Sequence, residues 1–140
     1  MIVEIRVKID GKLPFKATPG SAGYDLFSTV DINIPPMERK VILTGVYMEM
    51  PDGYEAQIRS RSGLAANHGI IVLNAPGTID SDYRNEVKVI LYNTSQVEFQ
   101  VTKDMRIAQM VFAEVAKTTL IPIDALSETD RKGGFGSTGA

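Results

Sequence analysis

The segment from Pro76 to Val87, with the sequence PGTIDSDYRNEV, combines residue types that can perform acid–base chemistry. Asp80 follows the apolar Ile79, so its carboxylate is predicted to be held in place and partly shielded from water, as a general base must be. Tyr83, three residues further on, could form the wall of a flat pocket. The alternative is a solvated hairpin end, because Asp and Ser are also ordinary turn residues.

A second segment, from Ser60 to Leu64, is suited to binding an anion. Arg61 offers a planar guanidinium that matches phosphate oxygens, Ser62 offers a hydroxyl, and Gly63 lets the backbone approach closely. A short predicted helix follows, and the N–H groups at a helix start also favour anions. The same residue types cap helices beside a surface arginine, so this segment alone leaves both interpretations open.

The end of the chain, RKGGFGSTG at residues 131–139, resembles a glycine-rich phosphate loop. It is not a Walker loop, because the lysine does not follow the last glycine and no helix is predicted after it. Phe135 is a large aromatic side chain in a segment that has no core of its own, which predicts a mobile lid that stacks on a flat ligand. A disordered end with an incidental phenylalanine is the alternative.

Four further polar residues stand out singly. Asn74 lies between an apolar strand and a turn, so it either pairs with an amide-like base edge or stabilises its own turn. Gln109 lies on the predicted core face of a long strand and needs a partner there, whereas Arg106 is predicted to lie on the opposite face as a surface charge. His68 is the sole histidine of a chain without cysteine, which argues against a zinc site.

Size and composition favour one globular domain. The chain has 140 residues, of which 44% are apolar and 23% charged, enough for a single core. A net charge of −2 gives no general attraction for nucleic acid, and no apolar run is long enough to cross a membrane. The lack of cysteine excludes disulfides and agrees with a reducing compartment. We therefore expect a cytoplasmic protein that binds neither nucleic acid nor membranes.

Short strands dominate the predicted elements, because apolar residues alternate with polar ones along most of the chain. The only predicted helix spans residues 60–69, opened by a capping serine and ended by Gly69. Strands are predicted over residues 2–9, 22–28, 31–34, 40–50 (two short strands, or one with a bulge at Gly45), 54–59, 70–73, 86–93, 97–101 (paired with the previous one around residues 93–96) and 105–115, with an extended piece over 118–123.

Many short strands with almost no helix indicate an all-β sandwich or jelly roll. The composition changes near the end, since residues 127–140 carry four glycines and one large apolar side chain. Such a segment cannot pack a core, so we expect a domain over residues 1–126 and a mobile tail over residues 127–140.

Five short motifs, in this order, resemble those of the homotrimeric deoxyuridine triphosphatases, the dUTPases. They run from near the start of the chain to its end, and their shared order is more specific than any one of them. The motifs are AGYDLFS at 22–28, RSRSGLA at 59–65, NAPGTIDSDYRNEV at 74–87, RIAQMVF at 106–112 and RKGGFGSTG at 131–139.

The resemblance implies a distorted jelly roll with one very short helix and a flexible C-terminal tail, in agreement with the strand count. It implies a homotrimer whose three sites each use residues of all three chains. Asp80 would activate a water that attacks the α-phosphorus of dUTP, giving dUMP and diphosphate. This reaction keeps uracil out of DNA and supplies dUMP for thymidylate synthesis. Mg²⁺ would be held by the triphosphate oxygens and water, without protein ligands.

The resemblance also implies how the substrate is held. Tyr83 would pack against the deoxyribose and leave no room for a 2′-hydroxyl, and Asp25 would act through water near the metal. The uracil would contact a predicted hairpin over residues 74–88, by way of Asn74, Gly77, Thr78, Ile79 and Lys88. The phosphates would contact Arg61, Ser62, Gly63 and Gln109. The tail of a third chain would close the site with Arg131, Phe135, Gly136, Ser137 and Thr138.

Two positions depart from the family pattern, and two other functions remain open. Asn85 stands where glycine is usual, although asparagine tolerates the left-handed conformation. Thr78 stands where an apolar residue is common. A deoxycytidine triphosphate deaminase, alone or bifunctional, shares the implied fold but is usually longer. A non-catalytic nucleotide-binding trimer would keep Arg61 and Phe135 yet tolerate the loss of the Asp80 carboxylate.

Overall fold

Ten short strands and one helix form the regular structure of residues 1–139, the part of the chain that this computed structural model describes. The helix α1 spans Ser62–His68, about two turns. In chain order the strands are β1 (Arg6–Ile9), β2 (Tyr24–Phe27), β3 (Ile32–Ile34), β4 (Arg39–Glu49), β5 (Tyr54–Arg59), β6 (Ile70–Val72), β7 (Gly77–Ile79), β8 (Val87–Asn93), β9 (Phe99–Val101) and β10 (Arg106–Glu114).

The strands form two four-stranded sheets and a two-stranded one. The first sheet has the order β1-β4-β8-β6, the second has the order β2-β10-β5-β7, and β3 pairs with β9. All of these pairings are antiparallel. Sequence neighbours are mostly not sheet neighbours, so the chain crosses repeatedly between sheets. This arrangement confirms the predicted all-β fold of the jelly-roll type with one short helix.

The core lies between the sheets and is built from alternate positions along the strands. In β8, the side chains of Val87, Val89 and Leu91 are each at most 1% exposed, whereas the residues between them are exposed or half-buried. Complete burial of such a side chain contributes about 1.5–3 kcal/mol, and a close-packed frame of this kind resists deformation. The loops at its edges are therefore held by a stiff support.

Several predicted boundaries and one predicted pairing were wrong. The first strand begins at Arg6, and Ile2 is 91% exposed outside it. The short strand β7 was not predicted, and residues 118–123 form no strand with the described part of the chain. The predicted pair over residues 86–93 and 97–101 does not form, because β9 pairs with β3 while β8 pairs with β4 and β6.

Of the two predictions for residues 40–50, the single bulged strand is confirmed. The register of β4 against β8 shifts between Leu43 and Val46, so the two residues between them have no partner across the ladder. One of these is Gly45, with a φ of 70°. A Cβ at this position would collide with the carbonyl group of Asp10, so both the conformation and the space require glycine.

A second bulge corrects the predicted face of Gln109. Arg106 pairs with Phe27 and Gln109 pairs with Asp25, with a register shift between Arg106 and Ala108. Three residues of β10 therefore cover two residues of β2, which puts Arg106 and Gln109 on the same outward face. Ala108 is fully buried in place of Gln109, which is half-buried on the other side.

Asn93 explains the connection that the sequence predicted as a tight hairpin. Its side chain is fully buried, and the amide nitrogen donates to the carbonyls of Ile34 (2.9 Å) and Val97 (2.8 Å). Its oxygen accepts from the backbone N–H and the hydroxyl of Ser95. One side chain thereby satisfies groups on β3 and on the loop that leads to β9.

We expect Asn93→Ala to lower the free energy of unfolding by about 2–4 kcal/mol, because it removes four side-chain hydrogen bonds at a fully buried position, including the amide donor to the Ile34 carbonyl. Urea unfolding at a fixed protein concentration measures the loss, with an unchanged slope as the sign of an unchanged unfolded state. Asn33→Ala is the matched control, since Asn33 is exposed on β3 and its loss is expected to cost less than about 0.5 kcal/mol. Equal effects of the two variants would contradict this assignment.

Beyond β10 the chain leaves the sheets. The N–H of Val115 still donates to the carbonyl of Gly53 (2.8 Å), whereas residues 116–139 contain no strand or helix. Four large apolar side chains in this segment are 63–94% exposed, namely Leu120, Ile121, Ile123 and Leu126. Within residues 1–139, no helix is long and apolar enough to span a membrane.

Candidate functional site

A cavity of about 310 Å³ lies beside the loop that joins β7 to β8. Its walls are Val41, Thr78, Ile79, Tyr83, Val87, Lys88 and Ile90. Four of these, Thr78, Ile79, Tyr83 and Lys88, were predicted to bind a substrate. Three larger cavities, of about 350, 490 and 530 Å³, lie along β1 or the N-terminal residues and hold none of the predicted site residues. The convergence of predicted residues favours the smaller cavity, whose size suits a small molecule.

The wall residues that were not predicted belong to the strands β4 and β8. Val41 and Ile90 are cross-strand partners on the outer face of β4 and β8, and Val41 is 54% exposed. An exposed valine on a strand has no sequence signal that separates a pocket wall from an ordinary surface position. Only the pairing of β4 with β8, two segments far apart in sequence, places these side chains beside Tyr83.

Asp80 is the first residue after β7. The preceding Ile79 is 8% exposed and pairs with Ala56 of β5, which fixes the strand end from which Asp80 projects. The carbonyl of Asp80 accepts the N–H of Tyr83 (3.1 Å), closing a turn. The expected shielding from water is not present in the single chain, where Asp80 is exposed. Within residues 1–139 its carboxylate has no hydrogen bond or ion pair, so it is available to an incoming group.

The segment from Asn74 to Lys88 is a connection between two sheets, and the predicted hairpin was wrong. β7 pairs with β5 in the second sheet, while β8 pairs with β4 and β6 in the first. The Asn74 side chain lies close to the start of β7, since a Cβ added at Gly77 would come within 3.2 Å of its amide nitrogen. Glycine at position 77 therefore leaves room for the Asn74 amide beside the strand.

The segment that was predicted to bind phosphate begins the helix, but not with the predicted cap. Arg61 occupies the N-cap position without a side-chain capping bond, and Ser62 and Gly63 are exposed in the first turn. The hydroxyl of Ser60 instead accepts the N–H of Val72 (2.9 Å), which ties the segment to β6. The predicted C-terminal glycine is confirmed, since Gly69 adopts the left-handed conformation with a φ of 66°.

The Asp25 carboxylate forms ion pairs with two arginines, Arg61 and Arg106. One carboxylate oxygen lies 3.5 Å from Nε of Arg61, and the other lies 3.6 Å from Nη1 of Arg106. The Asp25 side chain is 15% exposed, so this contact is partly withdrawn from solvent. The side-chain amide of Gln109 donates to the carbonyl of Ser60 (3.0 Å) and holds the start of the helix segment to β10.

The bulge in β10 makes this cluster possible. Asp25 lies opposite Gln109, and its backbone also exchanges two hydrogen bonds with Phe15, of 2.7 and 3.2 Å. Without the extra residue in β10, Arg106 would point to the core face and could not reach Asp25. Arg106 was predicted as a surface charge, and nothing in a strand of alternating residues indicates where a bulge occurs. Its role in the cluster was therefore missed.

Mg²⁺ is the metal that the resemblance implies. Among the described residues, no three His, Asp or Glu side chains lie together in a group that could hold a metal ion. The acidic group beside the predicted phosphate contacts is Asp25, and two arginines neutralise it. Mg²⁺ usually keeps several waters and is held by substrate phosphates with one or two carboxylates. These residues fit an ion carried in by a triphosphate, with Asp25 able to reach it through water.

The predicted lid residues form a separate group at the chain end. Phe135 is fully exposed with a φ of 50°, and Gly136 has a φ of 80°. Two successive turns follow, in which Ser137 donates its N–H to Gly134 and Gly139 donates to Gly136. Arg131 donates through Nε to the carbonyl of Gly133 (2.9 Å). Thr138 is exposed in the second of these turns, and Ala140 lies outside the described residues.

The predicted site residues thus form three groups in one chain. The first surrounds the cavity and Asp80, the second surrounds Asp25, and the third is the tail. Within residues 1–139, no side-chain hydrogen bond or ion pair joins one group to another. Each group presents exposed polar atoms, and none of them encloses a ligand by itself.

Comparison with known proteins gives consistent matches. A family model described as dUTPase matches residues 10–139. A deoxyuridine 5′-triphosphate nucleotidohydrolase of Hydrogenobaculum sp. is 53% identical over 136 residues, which span 96% of this chain and 94% of that protein. The protein of the same name from Nautilia profundicola is 55% identical over 128 residues, which span 91% of this chain and 90% of that protein.

Solved structures match the fold at lower identity. A dUTPase mutant of Staphylococcus bacteriophage 80alpha, determined with dUpNHpp, has a TM-score of 0.90 at 24% identity and covers 98% of this chain and 99% of its own. A dUTPase mutant from phage phi11 of S. aureus, described with a structural Mg(II) ion, has a TM-score of 0.82 at 20% identity and covers 89% of this chain and 99% of its own. The arrangement of sheets is therefore shared.

Proposed function

The chain belongs to the dUTPase family, and we propose that it hydrolyses dUTP to dUMP and diphosphate with Asp80 as the general base. The observation that carries the mechanism is the position of Asp80, whose carboxylate has no hydrogen bond or ion pair within residues 1–139 and directly follows the fixed end of β7, where Ile79 lines a cavity of about 310 Å³. The five motifs predicted from the sequence all fall within or at the edge of the three residue groups. The cytoplasmic location remains a prediction.

In the reaction that we propose, Asp80 accepts a proton from a water as the water oxygen bonds to the α-phosphorus. The bond from the α-phosphorus to the bridging oxygen of the β-phosphate breaks, and diphosphate leaves with that electron pair. The base needs only to orient and deprotonate the water, because most of the barrier to phosphoryl transfer is electrostatic. An exposed carboxylate becomes shielded when substrate and neighbouring chains cover it.

The cavity is suited to the nucleoside. Tyr83 would place its ring against the deoxyribose, where a 2′-hydroxyl would collide with it. Asn74 and the backbone of Gly77, Thr78 and Ile79 would pair with the uracil edge, and Lys88 lies at the rim. Rejection of a larger sugar requires walls that do not yield, and the buried strand β8 forms one side of this cavity.

The cluster around Asp25 is suited to the triphosphate. Arg61 would leave Asp25 to bind phosphate oxygens in a bidentate manner, assisted by the Ser62 hydroxyl, the Gly63 backbone and Gln109. Bound Mg²⁺ would supply charge neutralisation across the phosphates. Asp25 would contact it through water.

The tail is suited to closing the site after the substrate has bound. Phe135 would stack on the uracil, while Arg131 and the Gly136–Thr138 segment would contact the γ-phosphate. Within residues 1–139, the hydrogen bonds of the tail join residues 129–139 only to one another. We accordingly divide the chain into a domain over residues 1–126 and a lid over residues 127–140, whose mobility remains a prediction.

We further propose a homotrimer in which each site combines groups from all three chains. Two observations support this assembly. The three groups of site residues are not joined within one chain, and the segment after β10 exposes apolar side chains such as Leu120 (94%) and Leu126 (84%). Exposed apolar side chains on a segment without a core are typical of a surface that packs against another chain.

The test is a diphosphate-release assay with dUTP, dTTP, dCTP, dATP, dGTP and UTP, in the presence of Mg²⁺ and again with EDTA. We expect release from dUTP alone, at least about 100-fold faster than from the others and strongly reduced by EDTA. Sedimentation velocity in parallel should give the mass of three chains. Equal rates on dUTP and dTTP would contradict the proposal, and release of ammonia from dCTP would indicate a deaminase instead.

A further inference from the structure

Glu86 lies between the loop that carries Tyr83 and the first residue of β8. It is half-buried, and its Oε2 accepts the backbone N–H of Gly45 at 3.0 Å. Gly45 is a bulge residue of β4, so its N–H has no partner in the ladder with β8. Its carbonyl is occupied separately by the N–H of Asp10 (2.7 Å). The carboxylate of Glu86 thus satisfies a donor that the bulge would otherwise leave free.

The second bulge residue, Thr44, fastens the chain immediately after the loop. It is fully buried, and its hydroxyl donates to the carbonyl of Val87, the first residue of β8. The same oxygen accepts the N–H of Val46 at 3.3 Å. Both residues of the bulge therefore bond to the chain where the loop ends, one through the Glu86 side chain and one through the Val87 backbone.

Tyr83 is attached to the same point. Its hydroxyl donates to the carbonyl of Glu86 at 2.9 Å, and its backbone N–H donates to the carbonyl of Asp80 at 3.1 Å. The side chain is 37% exposed, so packing alone does not fix its ring. The position of the ring in the cavity wall depends on where the Glu86 backbone lies.

The Tyr47 phenol lies close enough to the Glu86 carboxylate to be affected by its charge. Partial burial raises the pKa of the Tyr47 phenol above its ordinary value, and the carboxylates of Glu86 and Asp10 raise that pKa further. The phenol thus stays protonated near neutral pH. Lys8 lies over the other side of the Tyr47 ring, 5.0 Å from its centre. The Glu86 carboxylate is directed at the β4 bulge, where it accepts the Gly45 N–H.

We propose that Glu86 is a positioning residue that sets the discrimination between deoxyribose and ribose. By anchoring the end of the loop to the β4 bulge, Glu86 fixes the Tyr83 ring in the cavity wall at a position that leaves no space for a 2′-hydroxyl. The inference rests on the proposed function, in which Tyr83 packs against the deoxyribose. Glu86 does not touch the substrate in this arrangement, so its effect appears in the selectivity and not in the chemical step.

The test compares kcat/KM for dUTP and UTP in Glu86→Ala and Glu86→Gln. We expect Glu86→Ala to lower the dUTP-to-UTP ratio roughly ten-fold or more, chiefly through a gain with UTP, because the freed Tyr83 ring can yield to the hydroxyl. Glu86→Gln keeps an oxygen acceptor for the Gly45 N–H and should restore most of the ratio. Glu98→Ala, an exposed glutamate before β9, is the matched control and should leave the ratio unchanged.

Tyr83→Phe provides a second measurement that does not depend on the folding of Glu86→Ala. It removes the hydrogen bond to the Glu86 carbonyl but keeps the ring, and it should lower the same ratio. An unchanged ratio in Glu86→Ala or in Tyr83→Phe, with wild type active on dUTP, would overturn the role of Glu86 alone. A wild-type chain that does not hydrolyse dUTP would overturn the proposed function itself.

Discussion

Replacing Asp80 with asparagine is expected to lower the turnover of dUTP roughly 10²–10⁴-fold, the range for loss of a general base. Asparagine has nearly the shape of aspartate but cannot take a proton from water. Because the Asp80 carboxylate makes no hydrogen bond or ion pair within residues 1–139, its loss leaves no donor unsatisfied, and the free energy of unfolding should change by less than about 0.5 kcal/mol. Diphosphate release at saturating dUTP measures the turnover.

Two comparisons make this result specific to Asp80. Asp82→Asn changes an exposed carboxylate two residues further along the same loop and should keep turnover within a factor of about two to three of wild type. Binding of dUpNHpp, measured by calorimetry, should be nearly equal in Asp80→Asn and wild type, because the uncleavable analogue needs no base. Normal turnover in Asp80→Asn would exclude Asp80 as the general base and indicate a different hydrolytic centre.

Deleting residues 128–140 is expected to lower kcat/KM for dUTP roughly 10²-fold or more while leaving assembly intact. The deletion removes a cation, several backbone N–H donors and the aromatic ring that we assign to the closed site. It spares Leu120, Ile121, Ile123 and Leu126, the exposed apolar residues that we assign to contacts between chains. Steady-state kinetics measure the loss, and sedimentation velocity checks the mass.

A single substitution in the tail tests stacking by Phe135 separately from the presence of the tail. Phe135→Ala should lower kcat/KM roughly 5- to 100-fold, since stacking of a base on an aromatic ring is worth about 1–3 kcal/mol. Trypsin should cleave after Arg131 and Lys132 in the free protein and more slowly with dUpNHpp bound. A truncated chain with full activity, or a tail whose cleavage is indifferent to the analogue, would exclude the lid.

The fold class follows from the sequence because alternation determines which face of a strand is buried. In β8, Val87, Val89 and Leu91 occupy alternate positions and are buried, whereas Lys88, Ile90 and Tyr92 between them are exposed or half-buried. What alternation cannot give is partner choice, since β8 bonds to β4 and β6 although the next strand in sequence is β9. The buried Asn93 at the end of β8 joins the following loop to β3 through four side-chain hydrogen bonds, and these partners cannot be identified from the sequence.

The site was predictable where it depends on local sequence and not where it depends on bulges. Asp80 and Tyr83 lie on a single loop and Lys88 follows at the start of β8, so their types and order sufficed to place them together. The role of Arg106 was not predicted because one extra residue in β10 moves its side chain to the other face of the strand. The role of Glu86 was not predicted because its carboxylate accepts the N–H of Gly45, which lies 41 positions away in another strand. Whether a bulge forms depends on contacts with strands that are far apart in sequence, so the periodicity of a single strand does not predict it.

The sharing of Asp25 between Arg61 and Arg106 has a consequence for the empty enzyme. The cluster has a net charge of +1, because one carboxylate faces two guanidinium groups. Before a nucleotide binds, the carboxylate therefore weakens the repulsion between the two arginines without fully neutralising their positive charge. When diphosphate departs, the same carboxylate can reclaim both arginines. Asp25 is thus the counterion of both arginines in the single chain, and under the proposed function it would pair with them again after each turnover.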